Sequence, residues 1–278
     1  MLIKVRKNEK NYKMNLKSFP IITYHQVVPD DRPKDPWQLN VSAHQYERQM
    51  RYLHKHGYRC VSLMELLKQQ QNGQSYKRKS IALTFDDGYE DFITLTYPIL
   101  RGFGFTATVF LITDYVGKRS DRKFEKGVPF LSWEQVSSLK KDGISFGSHT
   151  CTHPDLPQLS KEQIWSELVT SKESIEDRLG EKVQLLAYPH GHTSLEIQQM
   201  AEAAGYEAAC GISRGKSSRF NLWRTQCRTN DMLLSFAFQL TKWPHFIRHF
   251  REETAAGQFI RKVKHKIGGR GNLLASGC

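Results

Sequence analysis

Thr84-Phe85-Asp86-Asp87-Gly88-Tyr89 follows the apolar run Ser80-Ile81-Ala82-Leu83 and precedes a helix-like segment over 90–101. Two adjacent carboxylates at the exit of a buried strand are costly, because burial without partners disfavours the charged form of both. Such a pair implies a cation, a split in pKa, or both. Gly88 directly after them permits a tight turn or the close approach of a ligand. A second stretch, Gly147-Ser148-His149-Thr150-Cys151-Thr152-His153-Pro154, also leaves an apolar run, Ile144-Ser145-Phe146, and holds two histidines separated by three residues. One carboxylate and two imidazoles, each at the end of a strand, supply three protein ligands and leave a coordination position open for water. That is the pattern of a hydrolytic metal site.

Outward from these stretches the chain alternates. Residues 19–24 read as a buried strand ending at His25, and 59–62, 106–112, 144–148, 183–188 and 206–212 read as further strands, with a strand-like stretch at 224–229. Ser42 with Gln45, Ser62 with Glu65, Ser132 with Gln135, Ser160 with Gln163 and Thr193 with Glu196 are capping signals that open the helices between them. Strand and helix in this rhythm mean parallel strands with crossover helices, hence one α/β domain, as an open sheet or a barrel. In either form ligands gather at the C-terminal ends of the strands. Asp86, Asp87, His149, His25 and His190 all follow predicted strands and are expected on one rim.

The 278 residues can bury a sizeable core, and 39% hydrophobic with 25% charged residues is the balance of a soluble globular chain. No apolar stretch is long enough to span a bilayer, and the lysine-bearing start lacks an apolar core followed by a cleavage site, so no export signal is read and a cytoplasmic location is expected. Cys60, Cys151, Cys210, Cys227 and Cys278 are scattered without a C-x-x-C pair, which suggests neither a zinc ribbon nor a disulfide framework. Cys151 lies between the two histidines, yet no third group is placed to activate it, and it reads as a small side chain facing away.

The formal charge of +13 suits an anionic partner, but no basic helix interleaved with stacking aromatics, finger spacing or RNA-binding signature is present, which argues against nucleic acid. The excess gathers at the ends, in Lys4, Arg6, Lys7, Lys10, Lys13 and Lys17 and in Arg261, Lys262, Lys264, Lys266 and Arg270. Solvated tails are the plain reading of such runs. From Asp231 onward apolar residues among arginines predict an amphipathic helical appendage broken at Pro244. Packing against the domain is its plain role, and peripheral contact with an anionic membrane the sharper alternative.

Leu83 to Tyr89, then Ala107-Thr108-Val109-Phe110, Leu131-Ser132-Trp133, Gly147 to Leu156, and Ala187-Tyr188-Pro189-His190-Gly191 resemble, in order and spacing, the successive motifs of the polysaccharide deacetylases, carbohydrate esterase family four. Tyr24-His25-Gln26-Val27 resembles the branch of poly-N-acetylglucosamine deacetylases. The resemblance implies a distorted (β/α) barrel over 19–230, after a basic lead over 1–18 and before a helical basic appendage over 231–278. It further implies a divalent metal, zinc foremost with cobalt or nickel as alternatives, held by Asp87, His149 and His153, and an acetylated glycan as substrate. Asp86 is then the general base, His25 the general acid, and the backbone N–H of His190, beside Tyr188 and Pro189, the oxyanion partner. Relatives carry an arginine where this chain has Ala187, and Arg224, with Arg228 as second choice, is expected to orient the base instead. His190 and His192 compete with His25 as the acid. His245 and His249 fall in the basic terminal region and read as solvated. Two other readings use the same residues: a carbohydrate-binding protein that has lost its chemistry, and a two-histidine, one-carboxylate iron oxygenase. The spare carboxylate argues against the oxygenase, and retention of every ligand argues against loss of chemistry.

Overall fold

Ser80–Phe85 forms the strand at the middle of the sheet, and its side chains divide by the two-residue period of a strand. Ile81, Leu83 and Phe85 join one hydrophobic cluster with the helices, while Ala82 joins a second cluster on the other face. The structure is a computed structural model that describes residues 19–30, 35–72, 79–123, 125–212, 217–229, 231–241, 247 and 250. In chain order the elements are β1 (Ile21–Tyr24), β2 (Val27–Val28), β3 (Val41–Ser42), α1 (Ala43–Lys55), β4 (Arg59–Cys60), α2 (Leu63–Gln71), β5 (Ser80–Phe85), a π-helical turn (Phe92–Thr96), α3 (Tyr97–Gly102), β6 (Thr108–Leu111), α4 (Trp133–Lys141), β7 (Ser145–Ser148), α5 (Lys161–Leu179), β8 (Leu185–Ala187), α6 (Leu195–Ala203), β9 (Ala208–Cys210), β10 (Thr225–Gln226) and α7 (Leu233–Gln239).

The large sheet runs β10-β1-β5-β6-β7-β8-β9, with β4 beside the start of β5 and its strand pairs parallel. Cys210, at the end of β9, forms a parallel bridge with Leu222, and the chain then passes straight into β10, which pairs with β1. The sheet therefore curls round to meet its own first strand, which settles the open-sheet-or-barrel alternative of the alternation as the distorted (β/α) barrel that the resemblance implies. Leu63, Leu66 and Leu67 of α2 pack with Ile21, Ala82, Phe110, Leu185 and Ala208 to fill its interior. Gly147 lies where the interior is tightest: a Cβ there would meet the Phe110 ring at 2.7 Å and the Leu185 carbonyl oxygen at 2.9 Å.

Several local expectations need correction. The segment over 90–101 is not one α-helix, because Pro98 has no N–H to continue the ladder; the Tyr97 N–H reaches back to the Phe92 carbonyl in a π-helical turn before α3 begins. Ser42 caps α1 through the Gln45 N–H, but the Gln45 side chain does not complete a capping box; it donates instead to the carbonyls of Arg228 and Asp231. Ser194, not Thr193, caps α6, with its hydroxyl accepting from the Ile197 N–H. The boxes at Ser132 and Ser160 are complete. The basic lead over 1–18, and most of the appendage over 231–278 including His245 and His249, lie outside the described residues; within them, α7 buries Phe236 against Tyr52 of α1.

Candidate active site

The strand period carries Asp86 onto the same interior face as Ala82 and Thr84, where Arg224 meets it. The Arg224 guanidinium donates from Nη1 to Asp86 Oδ1 at 2.6 Å and from Nη2 to Oδ2 at 2.8 Å, a fork that uses both carboxylate oxygens. Further bonds to Thr23 Oγ1 at 3.1 Å and Thr84 Oγ1 at 3.3 Å hold the guanidinium in the barrel interior. Arg228, the second choice for this role, lies on the cavity wall and bonds to Gln226, not to Asp86.

Asp87 leaves the strand period through a positive φ of 73° and faces the histidines instead. Its Oδ1 lies 3.6 Å from His149 Nε2 and 3.5 Å from His153 Nε2, and the three ligand atoms fall within 4.8 Å of one another. That oxygen is buried and has no hydrogen-bond partner among the described residues. His149 Nδ1 sits 2.7 Å from the Ala187 carbonyl, so this nitrogen carries the proton and Nε2 presents its lone pair toward Asp87. A carboxylate oxygen without a partner and two imidazole lone pairs fit a divalent cation, and nothing else described satisfies them.

The electrostatics separate the two carboxylates from the imidazoles. Burial works against ionised Asp86, but Arg224 and His149 outweigh it and hold its pKa below the usual carboxylate value. Asp87 is likewise buried, and His153, Arg122 and His149 together hold it low. Burial lowers His149 against the pull of Asp86 and Asp87, and carries His153 down to about 3. Both carboxylates are thus charged and both imidazoles neutral near pH 7, the forms that bind metal.

Loop geometry between the histidines is fixed from outside the site. Glu167 of α5 accepts from the N–H groups of Cys151 and Thr152 at 2.7 Å and 3.0 Å, and from the Thr152 hydroxyl at 2.7 Å. Cys151 is turned away toward the Glu167 carbonyl, and burial pushes its thiol up to about 11. Thr150 and His153 both adopt positive φ, as do His190, Asp87 and Gln38. These are all the non-glycine residues with positive φ among those described, and each lines the cavity or sits between two residues that do. Backbone strain is therefore concentrated around one place, as at sites where geometry is over-determined by function.

That place is a cavity of about 970 Å³ at the C-terminal ends of the strands. Asp86, Asp87, His149, His153, His25, Tyr188, His190 and Arg224 all line it. His25 Nδ1 is buried there without a hydrogen-bond partner among the described residues. Tyr188 is buried with its hydroxyl donated to the Phe220 carbonyl at 3.0 Å. Pro189 is buried behind the wall, and His192 pairs through Nδ1 with Asp155 Oδ1 at 2.9 Å, away from the lining. Sequence reading passed over Trp37, Arg122 and Glu125, which also line the cavity. Arg122 forms an ion pair with Glu125 and donates from Nη2 to the Tyr89 hydroxyl, and its guanidinium lies over the rings of Tyr89, Tyr115 and Phe130. A basic loop after β6 and a tryptophan in a Pro- and Asp-rich loop were the available signals.

Comparison with known proteins bears on this arrangement. The family model for polysaccharide deacetylase matches residues 73–209. YxkH of Bacillus subtilis, provisionally named a polysaccharide deacetylase, is 29% identical over 200 residues, covering 72% of this chain and 66% of its own. The poly-beta-1,6-N-acetyl-D-glucosamine N-deacetylase of Escherichia coli K12 is 28% identical over 139 residues, 48% of this chain and 20% of that protein. The chain thus spans less than two thirds of these relatives. Among solved structures, the Streptococcus pyogenes deacetylase PplD, in complex with acetate, superposes with a TM-score of 0.70 at 25% identity, covering 80% of this chain and 98% of that one.

Proposed function

We propose that this chain, whose residues 73–209 match the family model for polysaccharide deacetylase, hydrolyses the acetamide of N-acetylglucosamine-type glycans, with the catalytic unit spanning 19–230. One observation carries the reading: two adjacent carboxylates held in different ways, Asp86 in the fork of Arg224 and Asp87 facing two imidazoles. A divalent cation held by Asp87, His149 and His153, zinc by preference, would acidify a water and polarise the acetyl carbonyl. Asp86, ionised and fixed in orientation by Arg224, accepts the proton of the attacking water. The backbone N–H of His190 meets the developing oxyanion. His25 gives a proton to the sugar nitrogen, so that the C–N bond breaks and acetate and a free amine leave. Its buried Nδ1 without a partner supports this assignment over His192, which is engaged by Asp155 outside the cavity.

The test is acetate release from N-acetylglucosamine oligosaccharides by protein stripped of metal and reloaded with zinc, cobalt or nickel, beside Asp86→Asn. Metal-dependent release that the variant loses while still binding metal is the expected result. No release with any metal, despite one bound equivalent, would overturn the proposal in favour of a binding role on the same fold.

A further inference from the structure

The two imidazoles of the metal cluster are held unequally. His149 stands at the exit of β7, where its N–H donates to the Leu111 carbonyl at 2.8 Å and its Nδ1 bonds to the Ala187 carbonyl at 2.7 Å. The ring of His153 makes no hydrogen bond among the described residues; it packs edge to face against the rings of His149 and His190, with Nε2 3.5 Å from Asp87 Oδ1. A ligating histidine is ordinarily oriented by a carbonyl or carboxylate on its other ring nitrogen. Where that partner is lacking, the backbone that carries the ring must orient it.

That backbone is strained. Thr150 and His153 sit at φ of 69° and 62°, left-handed conformations that are unfavourable for residues with a Cβ, and a span holding both does not keep its shape on local preference alone. From one side the segment after β6 supports it, the N–H groups of Thr113 and Asp114 donating to the carbonyls of Thr150 and Cys151 at 3.2 Å and 3.0 Å. From the other side stands Glu167 of α5, whose Oε2 accepts from the N–H groups of Cys151 and Thr152 and whose Oε1 accepts from the Thr152 hydroxyl. One turn further along α5, Ser171 Oγ lies 2.7 Å from Ser148 Oγ, which accepts from the Thr150 N–H at 3.0 Å. A carboxylate suits the place of Glu167 because it accepts three hydrogen bonds and offers no donor that would compete.

Resting on the metal site that the deacetylase reading uses, we propose that Glu167 is a positioning residue for the metal. It acts through His153: by fixing the turn at Cys151 and Thr152 it brings His153 Nε2 beside Asp87 and His149. Glu167 does not line the cavity, so its effect falls on the metal ligands and not on direct contact with a substrate. Zinc affinity thus depends on a side chain of α5 that stands behind the site.

Zinc affinity of the metal-stripped full chain is measured by chelator competition at neutral pH for wild type, Glu167→Ala, Glu167→Gln and Ser160→Ala. Glu167→Ala should weaken zinc binding about 10- to 100-fold, the range for loss of a group that orients a metal ligand. Glu167→Gln should restore most of that affinity, since its amide oxygen can take the two N–H groups while its NH2 donates to Thr152 Oγ1. Ser160→Ala, which removes the cap of the same helix, should lower Tm and leave zinc affinity unchanged. With cobalt as the probe, the visible absorption band should change in Glu167→Ala and not in Ser160→Ala. Zinc affinity of Glu167→Ala within about threefold of wild type, no recovery in Glu167→Gln, or an equal loss in Ser160→Ala would overturn the proposal. Should Glu167→Ala fail to fold, Glu167→Asp, short of the turn by one methylene, carries the same expectation and the same refutation. Binding is read without substrate, so a wild type that binds zinc and releases no acetate still tests the proposal in full, whereas a wild type that binds no zinc overturns it together with the metal site.

Discussion

Replacing Arg224 with Met removes both hydrogen bonds from Asp86 while keeping an unbranched side chain in the barrel interior. Asp86 and Arg224 are 4% and 2% exposed, so solvent replaces the lost donors poorly. Removing one partner of such a buried pair costs about 3–5 kcal/mol, which for a domain near this size lowers Tm by roughly 6–20 °C. The pH dependence has a definite sign. In the wild type the folded pKa of Asp86 lies below its unfolded value, so its contribution to stability is present above the unfolded carboxylate range and is lost as pH falls through the folded pKa. Without Arg224, burial prevails and the folded pKa rises above the unfolded one. The charged carboxylate then destabilises the variant at neutral pH and ceases to do so once protonated. Thermal melts of metal-free protein between pH 4.5 and 8 should show a gap between wild type and variant that narrows toward acid, as an order-of-magnitude window set by these shifts. The acid limb of kcat/KM should move to higher pH, and adding Asp86→Asn should recover part of the lost Tm. A gap below about 1 kcal/mol that does not change with pH would refute the reasoning.

Four further outcomes are expected. Because His149 is held low and His153 lies at about 3, zinc affinity measured by chelator competition should vary less than about threefold between pH 7.5 and 5.5, where two ordinary histidines would lose about a hundredfold. Gly191→Ala should cost about 1–3 kcal/mol of stability, seen as a lower Tm, and impair acetate release, since its φ is 64° and a Cβ would strike Ile212, with the Ile212 nitrogen at 2.7 Å. Cys151, with its thiol pushed up to about 11, should contribute nothing chemical: Cys151→Ala and iodoacetamide treatment at neutral pH should leave the rate within about twofold. Met232, Leu234 and Phe238 stand exposed at α7 beside the basic C-terminal sequence, and the intact protein is expected to pellet with anionic vesicles at low salt, to be released at high salt, and to lose the association on truncation after Asp231. Protein wholly in the supernatant at low salt would remove the membrane contact.

By itself the sequence determined what depends on near neighbours along the chain. The alternation of apolar runs with Ser-led helix starts is enough to predict parallel strands with crossover helices, and a strand exit places Asp86, Asp87, His149 and His153 on one rim because all parallel strands end at the same side. The complete caps at Ser132 and Ser160 were legible for the same local reason. The cap of α6 was legible only to within one residue, because Thr193 and Ser194 both offer a hydroxyl and backbone direction chooses between them. What near neighbours along the chain do not determine is the contact that sets Asp86 apart from Asp87, which the family resemblance named as Arg224 and the tertiary structure makes. Arg224 lies 138 positions from Asp86, and they meet because the sheet curls until β10 joins β1, a closure that no window of local sequence encodes. Trp37 and Arg122 entered the cavity wall the same way, through loops whose positions are set by hydrogen bonds to distant segments. Strand order and strand period select which side chains converge, and that selection is made only when the whole sheet has formed.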